Sequence, residues 1–314
     1  MPDPVRIADG IWSVAIPMPG YLDYSLSVVA FGSEGSVGIV DPGWAGEKAL
    51  EALGGFLRAQ GADLGDVTTV VATHAHPDHL GLAHAVRERS GARLFLHARE
   101  QRSFDGAREV GDWWSVDRFR EYGVPAEITE RIARTMSGGD PVRPEAVVAD
   151  VFVAEGDTIP LGDSSWRVVE TPGHTPGHVA LVEERHRLLA TGDHVMPTIF
   201  PGVGLGVPSG PSALSDYFAS LARLRAFGEH TVLPGHGYVF TGLAERLEEA
   251  EAHTRRRLDE VRAASAAEPT VDVFTLASRL TWTGGWEKVI ASPMLASALL
   301  QTGIYRDHAI AAGL

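Results

Sequence analysis

Two facing β-sheets sandwiched between helix layers, an α+β architecture followed by a small helical tail, is the fold the sequence predicts. Three observations point there. Short apolar runs bounded by Gly and Pro alternate with segments of helical period. The strands of the first and second halves end in the same kinds of residue, and the composition turns charged and helical from residue 243 onward. Strand-rich halves flanked by helices bury their apolar faces as two packed sheets covered on the outside.

Residues 10–16, 26–31 and 36–40 read as strands separated by Gly and Pro signals, the third ending at Asp41-Pro42-Gly43. Residues 46–60 follow a helical period, and 67–72 is a further strand. Pro77 suits a helix start, where its missing N–H costs nothing, and 81–89 continues helically. Residues 94–96 form the next strand. The segment from about 99 to 150 breaks the rhythm as a polar, helical insertion around 117–122 and 126–136, and it holds Trp113 and Trp114. Strands resume at 151, 166–169, 179–182 and 188–190; a helix at 214–227 precedes a last strand at 231–233. A charged amphipathic helix at 243–264 places Leu243, Leu247, Ala250, Leu258 and Val261 on one face. Helical segments at 271–280 and 294–303 complete the tail. The expected division is a catalytic domain over 1–242 and a helical module over 243–314.

Bulk properties narrow the function. With 314 residues and 44% hydrophobic content the chain can bury one large core and a smaller one. A formal charge of −14 argues against nucleic acid as a partner, because backbone binding needs lysine and arginine to displace counterions. The absence of cysteine removes disulfides, thiolate ligands and a thiol nucleophile together. No basic segment followed by an apolar core opens the chain, and no run nears the ~18 apolar residues of a membrane span. A soluble cytoplasmic protein acting on a small molecule, without a membrane partner, is the expectation; a homodimer is open.

The chemistry concentrates in residues 73–80, Thr-His-Ala-His-Pro-Asp-His-Leu, directly after an apolar run. Three imidazoles and a carboxylate so close together are costly to place unless something binds them, and they are ligands that zinc and similar metals accept. Three later segments supply more: Thr-Pro-Gly-His-Thr-Pro-Gly-His at 171–178, Thr-Gly-Asp-His at 191–194, and Pro-Gly-His-Gly at 234–237. Each puts a candidate ligand on a glycine-flanked loop at a strand end, where backbone can bend around an ion.

With Asp41 ahead of them in order, these motifs closely resemble the metallo-β-lactamase-fold hydrolase superfamily, over roughly residues 8–242. The resemblance implies an αββα sandwich with its site at one edge between the sheets. It assigns His74, His76 and His178 to one metal, Asp78, His79 and His236 to a second, and Asp193 as the bridge. The implied cofactors are two zinc ions, with manganese or iron as alternatives. The implied activity is a binuclear metal-dependent hydrolase whose metal-bridging hydroxide cleaves a thioester, a lactone or a related ester or amide. Asp78 is the catalytic candidate, orienting the hydroxide and taking a proton. Asp193 as a bridging ligand resembles the glyoxalase II and lactonase branches, whereas the largest group of zinc β-lactamases uses a cysteine that this chain lacks. A metal-dependent nuclease and a mononuclear iron sulfur-dioxygenase are the alternative activities. The tail is similar to the winged-helix-like module of members related to β-lactamase-like protein 2.

Several further residues receive expectations. Asp41 is read as a hydrogen-bond partner that holds the histidine loop. His174 is read as stabilising its turn, and His194 as pointing away from the site. Trp113, Trp114, Tyr238 and Phe200 each read equally as substrate contacts or as packing. Arg255, Arg256 and Arg257, with Glu248, Glu249 and Glu251 nearby, read as a salt-bridged, solvated helix face.

Overall fold

A computed structural model describes residues 1–20, 22–106, 115–137, 148–206 and 212–313. Trp113 and Trp114 lie outside the described residues. The strands form two sheets. The first runs in chain order: β1 (Val5–Ala8), β2 (Ile11–Pro17), β3 (Tyr24–Phe31), β4 (Val37–Val40), β5 (Val67–Val71), β6 (Arg93–His97) and β7 (Val151–Val153). The second comprises β8 (Thr158–Leu161), β9 (Ser164–Glu170), β10 (Val179–Glu183), β11 (Leu188–Gly192) and β12 (Thr231–Pro234), in the order β12-β11-β10-β9-β8. The α+β sandwich is the expected one, with β1 and β8 added. Both are short edge strands. β1 is largely exposed and so lacks an apolar alternation, and β8 carries Pro160, which only an edge or the end of a strand tolerates.

The two sheets face each other across a core that includes Val28, Val40, Val71, Phe95, Trp166, Val168, Leu181 and Leu233. Gly38 allows close approach there: a Cβ on it would lie 2.7 Å from atoms of Leu161. The outer face of the first sheet is covered by α1 (Glu47–Ala59), α2 (Pro77–Leu80) and α3 (Ala83–Ser90), through Leu53, Leu57, Leu80 and Val86. β4, β5 and β6 pair in parallel. Such interior strands are apolar on both faces, which is why Val70 and Val71 are consecutive and fully buried.

The polar segment after β6 contains α4 (Ala98–Gly106), α5 (Val116–Glu121) and α6 (Ala126–Ser137). After β11, α7 (Ala213–Leu224) lies on the second sheet. α8 (Leu243–Ala267) packs beside it, followed by α9 (Val273–Ser278), α10 (Trp286–Ala291) and α11 (Leu295–Ala311). Leu243, Leu247, Ala250, Leu258 and Val261 of α8 share a core with Val182, Leu189 and Val232 of the second sheet and Ile304 of α11. Phe119 and Tyr122 of the insertion pack with Val273, Leu295 and Leu299 of the tail. The helices beyond residue 243 are therefore continuous with the outer layer of the sandwich. Among the described residues 243–313 hold four helices and no strand, so the winged-helix comparison finds no wing. No described helix is long and apolar enough to cross a membrane.

Candidate metal centre

The site grows from strand ends. Asp41 follows β4 and the His74–His79 segment follows β5, its parallel neighbour; Asp193 follows β11 and His236 follows β12, again a parallel pair. Parallel neighbours release their loops at the same end of a sheet. Two cross-links bring the loops of the two sheets together: Leu26 N–H donates to Gly235 O at 2.7 Å, and Val179 N–H to Thr73 O at 2.9 Å. Pro77 opens the single turn of α2, with Asp78 and His79 in that turn and His76 at its cap.

Two groups of ligand-type atoms result. In the first, His74, His76, His174 and Asp193 offer one atom each, all within 4.8 Å of one another; in the second, Asp78, His79 and His236 do the same. His74 Nε2 lies 2.9 Å from His76 Nδ1, and His174 Nε2 lies 3.1 Å from that same nitrogen. Asp193 joins the groups. Its Oδ1 is 3.3 Å from His79 Nε2 and 3.5 Å from His236 Nε2, while its Oδ2 is 3.8 Å from His174 Nε2. Asp78 Oδ2 lies 3.1 Å from His236 Nε2. Gly235 leaves room for this convergence, since a Cβ on it would collide with Asp193 Oδ1 and His79.

The outward nitrogens fix which ring atom faces in. His79 Nδ1–H donates to Asp41 Oδ2 at 2.9 Å, His236 Nδ1–H to Tyr24 O at 3.0 Å, and His174 Nδ1–H to Gly202 O at 2.6 Å. His76 Nε2–H donates to Leu205 O at 3.1 Å. Thr73 Oγ1 donates to Asp41 Oδ2 at 2.8 Å and can then accept only from His74 Nδ1–H at 3.0 Å. Each of the five imidazoles, when neutral, thereby turns a bare lone pair inward, the tautomers following from their partners. Lone pairs crowded at 2.9 and 3.1 Å repel unless a cation lies between them. That spacing resembles the ~3.3 Å edge of a tetrahedron with metal–nitrogen bonds of about 2.0–2.1 Å. His79 Nε2 and Asp193 Oδ1 are moreover buried with no hydrogen-bond partner among the described residues, a cost that a bound dication would remove. The donor groups fit borderline divalent metal.

Protonation separates the groups. Burial, reinforced by the neighbouring imidazoles, holds His74 well below the usual histidine range and His174 at about 4. Burial also pulls His79 and His236 down, but the Asp193, Asp78 and Asp41 carboxylates around His79, and Asp193 and Asp78 beside His236, outweigh it and raise both. Burial alone would lift Asp78; the His79 charge and the His236 hydrogen bond outweigh it and hold it at about 2. Burial opposes the ionised Asp193 in the same way, and His236 and His79 keep it well below the carboxylate range.

Six of the seven expected ligand residues fall in these groups: His74, His76, Asp78, His79, Asp193 and His236. His178 does not. Its Nδ1 meets Thr171 Oγ1 at 2.8 Å, and its Nε2 is buried against the backbone of Gly192 without a partner among the described residues. His174 stands where His178 was expected. The two histidines are four positions apart in a Gly/Pro-rich turn, and the second already begins the approach to β10, so only the first reaches past the strand ends. Asp41 holds the histidine loop as read: Oδ1 also accepts from Thr73 N–H at 2.7 Å, and the residue sits at a φ of +52° that such anchoring must maintain. His194 is buried between the rings of His178 and Tyr217, its nitrogens without a partner among the described residues, and burial drives it down to about 3. Tyr238 is 58% exposed. Phe200 is a packing residue, stacked on His253 at 4.0 Å with Arg246 over its other side at 4.2 Å.

One residue escaped the sequence reading. Glu100, fully buried in α4, accepts from Ala75 N–H at 2.8 Å and from Gly177 N–H at 2.7 Å. A single carboxylate thus pins the first histidine loop to the 173–178 loop. Nothing in the sequence distinguishes it from the other charged residues around it.

The comparisons with known proteins agree with this geometry. The family model of the metallo-beta-lactamase superfamily matches residues 20–236. A Bacillus subtilis protein named probable metallo-hydrolase YqjP is 27% identical over 233 residues, 71% of each chain. A Gallus gallus protein named acyl-coenzyme A thioesterase MBLAC2 is 33% identical over 183 residues, 56% of this chain and 58% of that relative. The crystal structure of the metallo-beta-lactamase family protein TTHA1429 from Thermus thermophilus superposes with a TM-score of 0.80 and 26% identity, covering 98% of this chain and 95% of that one. With the sandwich, the motif order and the convergent histidines, these matches make the chain a member of the metallo-beta-lactamase superfamily and a metal-dependent hydrolase.

Proposed function

We propose that the protein is a binuclear hydrolase of a small acyl substrate, a thioester or a lactone, with zinc as the metal. The reading rests on one observation: Asp193 directs its two oxygens to two separate donor groups, so one carboxylate joins two cation sites. In this reading His74, His76 and His174 would hold one ion and Asp78, His79 and His236 the other, with Asp193 available to both. Two dications so held supply a water ionised near neutral pH and a Lewis acid for the acyl carbonyl. Asp78, ionised at neutral pH, would orient that hydroxide and, once it has added to the acyl carbon, take its remaining proton and pass it to the leaving group. Asp41, Tyr24, Gly202 and Leu205 hold the imidazoles in the tautomers that leave their lone pairs available. No side-chain nucleophile is required, so hydrolysis proceeds by single displacement without an acyl-enzyme. The thioester preference draws on the name of the Gallus gallus relative.

The test is a hydrolysis screen across acyl thioesters, lactones, β-lactams and phosphodiesters, with protein whose metal content is measured. Thioester or lactone turnover at two metals per chain is the expected result. Cleavage of phosphodiesters without acyl turnover, or iron at one per chain with oxygen uptake, would overturn it.

A further inference from the structure

We propose that the helical tail is a positioning element of the metal centre, acting through Arg246 and Ile304 on the loop whose carbonyls aim His76 and His174. This rests on the reading of those two histidines as metal ligands. Both aim outward at the 196–206 segment: His174 Nδ1–H donates to Gly202 O and His76 Nε2–H to Leu205 O. The segment also pairs with the 173–174 turn, Gly204 N–H to Gly173 O at 2.7 Å and Leu205 N–H to His174 O at 2.8 Å. It is not part of either sheet, so something else must hold it.

The tail does so from two helices. Arg246 of α8 is 8% exposed, unusual for an arginine; an Nη1–H donates to Glu249 of its own helix at 2.8 Å, and the other two nitrogens reach this segment. Nε–H donates to Met196 O at 2.6 Å, an Nη2–H to Ile199 O at 2.7 Å, and the plane covers Phe200, whose other side stacks on His253 of the same helix. From α11, Ile304 closes on Gly204, which sits at a φ of +76° and where an added Cβ would collide with Ile304 Cδ1. Gln301 lies against Gly202 in the same way, 2.9 Å from where a Cβ would stand. The second group depends on the segment less: Pro197 packs on Gly237 beside His236, but the ring nitrogens of that group lean elsewhere, His79 on Asp41 and His236 on Tyr24. Loosening the tail should therefore disturb one ion and spare the other. A general loss of stability would affect both.

The experiment compares wild type with Arg246→Met and has two readouts. Long-range proton–nitrogen spectra of the metal-free protein report the ring tautomers. Wild-type His76 should carry its proton on Nε2 and His174 on Nδ1, and R246M should move both toward mixtures. Chelator competition with zinc reports the two affinities: the weakening expected for losing an outer support is about 10- to 100-fold, at the first group only, with the second changed less than about 3-fold. Unchanged tautomers, or equal weakening of both ions, would overturn the proposal. If R246M fails to fold, Arg246→Lys and Ile304→Val keep the interface, and either should still shift the first group selectively; an even shift in both refutes it. Wild-type protein that binds two zinc ions yet hydrolyses no acyl substrate would sink the functional reading and leave this one standing. Wild type lacking the two stated tautomers would sink this one regardless of turnover.

Discussion

His174 and His178 illustrate what four positions of chain decide. Both are buried imidazoles with lowered proton affinity, yet only His174 Nε2 reaches the His76 nitrogen, and Gly202 O supplies the outward acceptor that fixes its tautomer. His174→Ala should bind one zinc fewer per chain at saturating free zinc in the micromolar range, whereas His178→Ala should retain the wild-type metal content and lose stability instead. Metal analysis of the dialysed variants checks this, and the reverse pattern would restore His178 as the ligand. Glu100 makes a second prediction at this scale. Removing its carboxylate leaves two buried N–H groups without acceptors, each costing about 1–3 kcal/mol. Glu100→Ala should lower the unfolding free energy of metal-free protein by several kcal/mol, and Glu100→Gln, which keeps one acceptor oxygen, by less. Urea titration measures both, and equal effects would show that the carboxylate is not the pin.

At the scale of elements, most strands and long helices were legible because their apolar period survives burial. β4, β5, β10 and β11 are apolar runs in the sequence and buried strands in the structure. β1, β8, α4 and α10 were not legible, being short, polar or interrupted by proline, with a place set by neighbours rather than by pattern. α8 shows how a charged helix divides its work. Leu243, Leu247, Ala250 and Leu258 bury one face, while on the exposed side Arg255 pairs with Glu251 at 2.7 Å. Arg257 pairs with Glu260 at 3.0 Å from a half-buried position. His253, half-buried between Phe200 and these cations, is held below the usual histidine range by burial and by Arg257, Arg256 and Arg246. A folded-state value below the unfolded one of about 6.5 means that the neutral ring favours the fold. Its contribution is present above that pH and is lost as pH falls through the folded value. His253→Gln should therefore lose less stability than wild type on acidification from pH 7 to 5, in paired denaturation series; a parallel fall in both would refute the assignment.

For the whole molecule, the metals should act as part of the fold, because a cation shared by the inward donors adds a tie between the ends of β5, β11 and β12. Zinc at about a thousand times its dissociation constant should stabilise the folded state by about 4 kcal/mol. Chelation should lower the melting temperature and abolish hydrolysis, with both restored by added zinc. A melting temperature indifferent to chelator would show that the site is already satisfied without an ion. The shared cores also predict that the tail is not detachable. Truncation after residue 242 exposes the faces of β10, β11 and α7 that Leu247, Leu258 and Ile304 cover, so the remainder should aggregate or melt far below the full chain.

By itself the sequence determined the sandwich, the order of the ligand loops and six of the residues that gather in the two groups. Those follow from local signals, such as strand period, glycine-flanked strand ends and ligand chemistry packed into short motifs. Only the tertiary structure decided between His174 and His178, picked Glu100 out of a polar stretch, and showed Arg246 gripping a loop fifty residues upstream in the chain. Each of those depends on which backbone carbonyl or amide lies within hydrogen-bond reach of a side chain, and that distance exists only once the two sheets and the tail have packed.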